Sequence, residues 1–373
     1  MQKLTKREKE VYNLIKNRPT ISREIIANKL GISESAVGTY IYNLTKKGYI
    51  LGKGYITAPE KKIVVIGGSN LDLKAYSKNY LKNTSNPGFV KESLGGVGRN
   101  IAENLGILGQ DVILLTAIGD DHFGHKLLAE TKKSNVNLEH VKISNNKRTG
   151  LYLAHLDEKG ELIAAISDME IMNSIDLDYL KEKRKIIKNA HLVIFDTNLS
   201  IEAMEYIINI TDKNNIKTLA ETVSVDKSKK LIDYLDKIDY ISPNIAEAET
   251  LLDLEIEIEK ELSYRIDKVK KRYGTINNLP TMFISCGEKG VLILNNKLSK
   301  FIEAQKIAKR EIVEATGAGD SLLAGIADKL LKGEKLEKAV RFAVKIAALT
   351  VKSEYTVNPN LKELLEGDEI DEK

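Results

Sequence analysis

Apolar positions along this chain follow two rhythms, and the change between them falls near residue 60. In the first stretch they recur at helical spacing. Leu4, Val11, Leu14 and Ile15 share one face and end near Arg18-Pro19. Ser22 is placed to cap a second helix carrying Ile25, Ile26 and Leu30, and Gly31-Ile32 make a tight turn. Ser33 caps a third helix through Val37, Ile41 and Leu44, which ends at Lys46-Lys47-Gly48. Tyr49-Ile50-Leu51 and Tyr55-Ile56-Thr57 flank Gly52-Lys53-Gly54, the pattern of a small hairpin.

Beyond the short linker Ala58-Pro59-Glu60-Lys61-Lys62 the rhythm alternates. Ile63-Val64-Val65-Ile66 is a wholly apolar run closed by Gly67-Gly68, the signature of a buried parallel strand feeding a loop. Further strands are expected near 112–118, 191–196, 216–221, 239–242, 281–285 and 291–294. Helices are expected near 97–109, 123–134, 201–214, 226–236, 246–253, 258–273, 319–332 and 336–352. Such alternation predicts a doubly wound α/β domain with ligands at the C-terminal ends of its strands. Segments 70–93 and 147–168 break the rhythm. Thr149–Leu156 and Glu161–Ile166 flank Asp157-Glu158-Lys159-Gly160, a hairpin pattern, and together these pieces are expected to form a small β lid.

Composition narrows the setting. With 373 residues the chain has room for roughly two to three domains. No apolar run approaches the ~20 residues needed to span a membrane, and no apolar segment follows Met1-Gln2-Lys3-Leu4 as in a secretory leader, so a cytoplasmic setting is expected. Cys286 is the only cysteine, which excludes an internal disulfide and a multi-cysteine metal site. Eleven Lys/Arg against five Asp/Glu give residues 1–60 a net charge of +6; the whole chain carries +4, so the remainder carries −2. A basic module therefore precedes a nearly neutral body.

The candidate chemistry is concentrated in Glu314-Ala315-Thr316-Gly317-Ala318-Gly319-Asp320, which precedes an apolar helix. Small residues expose backbone N–H groups at a helix N-terminus, where phosphate binds. A carboxylate at that mouth repels phosphate unless it has another task, such as accepting a proton from a hydroxyl. Asp320 is thus a candidate general base, with Gly317, Ala318 and Gly319 as the anion hole. Upstream, Gly95-Gly96-Val97-Gly98-Arg99-Asn100 opens a helix, either as a ligand loop read by Asn100 or as a close-packed helix start. Asp72 follows the first strand, as a hydroxyl acceptor or a turn residue. Asn244 and Glu247 lie three apart on a helix, either around Mg²⁺ through water or as an N-cap with its glutamate. Ser285, Gly287 and Gly290 join two strands where a nucleotide could enter, unless they form a plain hairpin.

The order of these pieces resembles the ribokinase-like (PfkB) sugar and nucleoside kinases over residues 61 to about 362. Gly95–Gly106 and Ala315–Asp320 resemble the two signatures of that family, and Asn244-x-x-Glu247 resembles its metal and phosphate motif. Within it, Asn86-Pro87-Gly88, Asp196-x-Asn198-Leu199, Val223-Ser224-Val225-x-Lys227 and the tail Ala347–Pro359 are similar to the pseudouridine kinases. The resemblance implies a ribokinase-like doubly wound sheet over 61–363, an acidic tail at 364–373, and ATP-dependent transfer to the 5′-hydroxyl of pseudouridine, with another nucleoside or a sugar such as ribose or fructose as the alternative acceptor. It places Asn70, Asp72, Gly95, Gly96, Asn100, Asp196 and Asn198 at the acceptor, Asn244, Ser285, Gly287, Gly290, Thr316, Gly317 and Gly319 at ATP, and Glu247 near Mg²⁺. Members usually carry Asp where Glu314 stands, at a position that helps a K⁺ site, so K⁺ dependence is left open, as is a homodimer. Asp-Pro is expected where this chain has Glu221-Thr222.

Residues 1–58 resemble a winged helix-turn-helix. That resemblance implies a DNA-reading third helix with Ser33, Ser35, Thr39, Tyr40 and Asn43 outward, and Lys46, Lys47 and Lys53 on phosphates. A ligand-sensing regulator built on a kinase-like body is the reading from a different class.

Overall fold

The computed structural model describes residues 3–52, 62–255 and 260–365. The chain divides into two compact units, Met1–Lys61 and Lys62–Lys373.

The first unit is built from three helices, Lys6–Asn17, Arg23–Leu30 and Glu34–Lys46. Each begins on a residue whose side chain caps it: Thr5, Ser22 and Ser33 accept from the backbone N–H three positions on. Thr5 and Glu8 complete a capping box. Gly31 ends the second helix in the left-handed region at φ 62°. Val11, Ile15, Ile26, Val37 and Leu44 are fully buried and form the unit's own core. The expected hairpin continues into residues 53–57, which lie outside the described residues.

The second unit is a nine-stranded sheet between two layers of helices. Its strands run in the order Leu298–Glu303, Gly290–Asn295, Thr281–Ser285, Tyr240–Ser242, Lys217–Glu221, Leu192–Asp196, Ile63–Ile66, Val112–Leu115, Val136–Asn137. All neighbours are parallel except the two pairings at the Leu298–Glu303 end. The first strand shows why two helix layers are needed. Val64 and Ile66 pack into one core with Val193 and Phe195, while Ile63 and Val65 pack into another with Leu192 and Ile194. The second core also takes Ile101 and Leu105 from helix Val97–Ile107 and Leu322, Leu323 and Ile326 from helix Ala318–Leu331.

The segments that break the rhythm form a separate four-stranded sheet, ordered Gly88–Gly95, Asn70–Ser77, Gly150–Leu156, Leu162–Asp168. The structure also departs from the expected elements, adding strand Val136–Asn137 and the short helices Leu177–Glu182 and Arg184–Lys188. Residues 226–236 are helical only as a short α-turn, Val225–Ser228, continued by a 3-10 stretch, Lys229–Lys237. The strand Leu298–Glu303 was not expected: mostly exposed at the sheet edge, it lacks the apolar run that marks its buried neighbours. Among the described residues no helix is long and apolar enough to cross a membrane.

Candidate active site

Helix Ala318–Leu331 starts at Gly317, which holds φ 87°, and no side chain caps it. The left-handed backbone favours glycine, and a Cβ there would lie 2.1 Å from the carbonyl oxygen of Thr356. The turn is thus pressed against the chain near residue 356; the Ala318 N–H is given to Ala315 O at 3.3 Å, and no side chain closes the helix N-terminus to an anion. Helix Val97–Ile107 likewise begins at a glycine, Gly96, with no capping side chain.

The two helix starts meet through side chains. Asn100 Nδ2 donates to Asp320 Oδ2 at 2.7 Å. Arg99 Nη1 donates to Asn100 Oδ1 at 3.1 Å, so the amide is oriented with its N–H toward the carboxylate. Arg99 is itself buried, with Nη2 donating to Glu103 Oε2 at 2.5 Å and Nε to Thr131 Oγ1 at 2.9 Å. Burial pushes the Asp320 carboxyl up to about 7; the Asn100 hydrogen bond opposes this and the Asp196 and Asp72 charges add to it.

Asn70 and Asp72 lie on the lid strand Asn70–Ser77, opposite Gly95 and Ser93. Both are buried, and Asn70 Nδ2 donates to Asp72 Oδ1 at 2.5 Å. A Cβ at Gly95 would come within 2.3 Å of Asp72 Oδ2, so that glycine makes room for the carboxylate. Burial raises Asp72 to about 6 against the pull of Asn70 and Lys74.

Asp196 and Glu221 are register partners at the C-terminal ends of adjacent strands. The Asp196 carboxylate is taken up by backbone: Oδ2 accepts from the N–H of Gly68 at 2.7 Å and Gly98 at 3.1 Å, and Oδ1 from Asn198 at 2.9 Å. It stitches the first strand to helix Val97–Ile107, and burial raises its pKa. Asn198 Oδ1 accepts from Lys227 Nζ at 2.6 Å. Glu221, standing where Asp was expected, has Oε2 buried without a hydrogen-bond partner. Burial, with the charges of Asp320 and Glu247, raises it well above the usual carboxylate range.

Asn244 and Glu247 form a reciprocal capping box on helix Ile245–Leu251. Glu247 Oε2 also accepts from Thr222 Oγ1 at 2.6 Å. Both oxygens are therefore engaged, and among the described residues no three acidic, His or Cys side chains group closely enough to hold a metal by themselves. Asn244 bridges to Ser285 between neighbouring strand ends, and Gly287 and Gly290 turn the chain beyond it with φ 58° and 132°. Cys286 is buried, its thiol pushed up to about 11, and is no nucleophile. Thr316 is bound to Glu314: Oε1 accepts from the Thr316 N–H at 3.0 Å and from its hydroxyl at 2.7 Å.

In the first unit Ser35, Thr39 and Lys46 are exposed on or beside the third helix, with Tyr40 and Asn43 half-buried. Ser33 spends its hydroxyl on the helix cap. Lys47 is committed to Glu8, Nζ to Oε2 at 2.7 Å, with the glutamate side chain only 3% exposed, so it belongs to the unit's own packing. Lys53 lies outside the described residues.

An uncapped helix start beside a carboxylate, at the C-terminal ends of a doubly wound sheet, is a phosphoryl-transfer geometry. A family model described as pfkB family carbohydrate kinase matches residues 60–363. The chain belongs to this family. As a PfkB kinase it has the ribokinase-like fold and is a phosphotransferase acting on an alcohol group. A second model, winged helix-turn-helix DNA-binding, matches residues 4–50. The chain is 31% identical over 359 residues to an uncharacterized sugar kinase, YeiI, of Escherichia coli, covering 96% of this chain and 97% of that one. It is 36% identical over 301 residues to the pseudouridine kinase of Escherichia coli, covering 80% and 93%. Its fold is shared by the ribokinase of Arabidopsis thaliana complexed with ribose and ATP, with TM-score 0.69, 21% identity, and 82% and 98% coverage.

Lys74, Arg99, Thr222, Glu221 and Thr356 carry contacts to the site that sequence reading did not assign. Glu221-Thr222 was visible only as a departure from the expected Asp-Pro. Lys74 and Thr356 answer to partners far away in the chain, which no local pattern marks, whereas Arg99 pairs with Glu103 four positions on, a spacing that was there to be read.

Proposed function

We propose that this PfkB kinase transfers the γ-phosphoryl group of ATP to the 5′-hydroxyl of pseudouridine. The observation that carries the reading is Asp320, partly buried at an uncapped helix start and held by Asn100 at 2.7 Å. In this reading Asp320 accepts the hydroxyl proton as the hydroxyl oxygen bonds to the γ-phosphorus, and the bridging P–O bond breaks to release ADP. The amides of the Gly317-Ala318-Gly319 turn and the helix dipole stabilise charge on the transferring group. Asn70 and Asp72 hold the ribose hydroxyls, and Gly95 and Gly96 let the sugar approach the backbone. Asn100 acts chiefly by orienting Asp320, and Asp196 by holding the loop Gly67-Gly68 in place. ATP lies over Asn244, Ser285, Gly287 and Gly290, with Thr316 at its phosphates.

Mg²⁺ fits this donor set when it arrives on the nucleotide, since Mg²⁺ keeps several waters and takes few protein ligands. Glu221, with its unpartnered buried oxygen, and Glu247 would hold it through water, and it would neutralise donor phosphate charge. The 36% identity to a pseudouridine kinase supports the acceptor, and the match to a sugar kinase along nearly the whole chain supports a sugar as the second reading. A panel of pseudouridine, uridine, inosine, ribose and fructose with Mg·ATP separates them. Preference for ribose or fructose overturns the nucleoside reading; background turnover with every acceptor, alongside ligand-dependent DNA binding, favours a sensor.

We also propose that residues 1–58 bind DNA through Ser35, Thr39 and Lys46, in a cytoplasmic enzyme. A gel shift abolished by Lys46→Glu supports this; no shift on any genomic fragment refutes it.

A further inference from the structure

One ion pair near the anion-binding turn has no part in the chemistry above. Lys74 lies on the lid strand Asn70–Ser77, on the same face as Asn70 and Asp72. Its Nζ donates to Glu314 Oε2 at 2.5 Å and to Thr316 Oγ1 at 3.1 Å. The two charged side chains are 17% and 25% exposed, so water screens the pair only in part. The other oxygen of Glu314 is held by the N–H and hydroxyl of Thr316. The backbone N–H groups of Val313 and Glu314 both donate to Val351 O, at 3.0 and 3.2 Å. Lys74 thus joins the strand that carries the acceptor-side carboxylate to the turn that faces the phosphates.

The family resemblance puts an Asp that helps a K⁺ site at the position of Glu314 and leaves K⁺ dependence open for this chain. The residues present do not fit that ion. One carboxylate oxygen faces an ammonium and the other faces Thr316, so a second monocation would displace Lys74 or sit against like charge. We propose that Lys74 is a positioning residue, its tethered ammonium supplying the positive charge beside the anion-binding turn, so that phosphoryl transfer by this chain needs no K⁺. This rests on the kinase reading of the same site.

The test has two arms on the full-length chain. In the first, thermal unfolding is followed in KCl, NH₄Cl and choline chloride at equal ionic strength. The natural chain is expected to melt at one temperature in all three, and Lys74→Met to melt higher in KCl or NH₄Cl than in choline. This arm involves no turnover, so it stands even if no acceptor is phosphorylated, an outcome that would sink the kinase reading instead. In the second arm, turnover of the natural chain is expected to be indifferent to K⁺. Lys74→Met should lose roughly tenfold to hundredfold in kcat in choline and recover with NH₄⁺ or K⁺, while Lys74→Arg recovers without either. Glu314→Gln, which removes the cation's partner, should lose activity that neither ion restores. K⁺ stabilisation or activation of the natural chain overturns the proposal. So does a Lys74→Met chain as active in choline as its parent, or one that no monovalent cation restores. Should Lys74→Met fail to fold, the salt response of the natural chain still decides.

Discussion

A carboxylate is a more effective base when its pKa lies near the working pH, and what raises Asp320 is chiefly burial, with Asp196 and Asp72 adding charge. In the proposed role Asp320 works ionised; with burial pushing its carboxyl up to about 7, kcat/KM should fall tenfold per pH unit below that value, in a titration of initial rates from pH 5 to 9. Asp320→Asn should cut kcat by roughly 10²–10⁴ and abolish this limb; near-normal turnover would dismiss Asp320 as base. The same shift has a stability consequence of opposite sign. The folded state binds this proton more tightly than the unfolded chain, so the contribution is fully present below about 4 and lost as pH rises through about 7. Asp320→Asn should therefore be more stable than its parent at pH 8, by on the order of 1–2 kcal/mol, with the gap closing toward pH 5, in urea melts. Arg99 sets the opposite kind of constraint. Glu103→Gln removes the paired counter-charge of its buried guanidinium and leaves only the weaker pull of Asp72 and Glu130, at a cost of roughly 3 kcal/mol measured by the same melts. Asp320 and its glycines were legible in the sequence because the motif is contiguous. Lys74 with Glu314, 240 positions apart, was not.

At the scale of elements, two of the described helices begin on a glycine N-cap, and both starts face the site. Most other described helices are capped by Ser, Thr, Asp or Asn at the N-cap. At the Gly96 start the N–H groups of Gly98 and Arg99 are taken by Asp196 and by Gly68 O, so the Gly317 start is the one of the two that offers N–H groups to a ligand. Gly317→Ala puts a Cβ against Thr356 O and forces a left-handed backbone on alanine. The expected result is a fall in kcat of roughly 10²-fold from a displaced anion hole, with a melting temperature only a few degrees lower, measured by steady-state kinetics and calorimetry. The central strands were legible because both faces are buried and the residues are uniformly apolar. The lid was legible only as a break in rhythm, since strand Leu162–Asp168 is exposed along most of its length. The Asn244-x-x-Glu247 spacing fitted a capping box as well as a metal motif, and the capping box is what the hydrogen bonds form.

For the whole molecule, the two units have separate cores and separate matches to known families. A chain beginning at Lys62 should fold and keep kcat and KM within about twofold of the full-length values while losing any gel shift. An inactive or insoluble product would show that the units depend on each other. Charge marked the division in the sequence, because +6 is concentrated in the first sixty residues.

Thr356 has a consequence for how the enzyme comes into being. Its hydroxyl donates to Leu94 O at 2.7 Å and to Asn100 Oδ1 at 3.4 Å, and its carbonyl closes on Gly317. Thr356 follows Leu94 by 262 positions and Asn100 by 256, so this knot closes between stretches of chain made far apart in time. A chain halted just after helix Leu336–Val351 would carry every described strand of the sheet and lack the residue that holds the turn. The turn is thus fastened late in synthesis, by a residue that follows every described strand of the sheet.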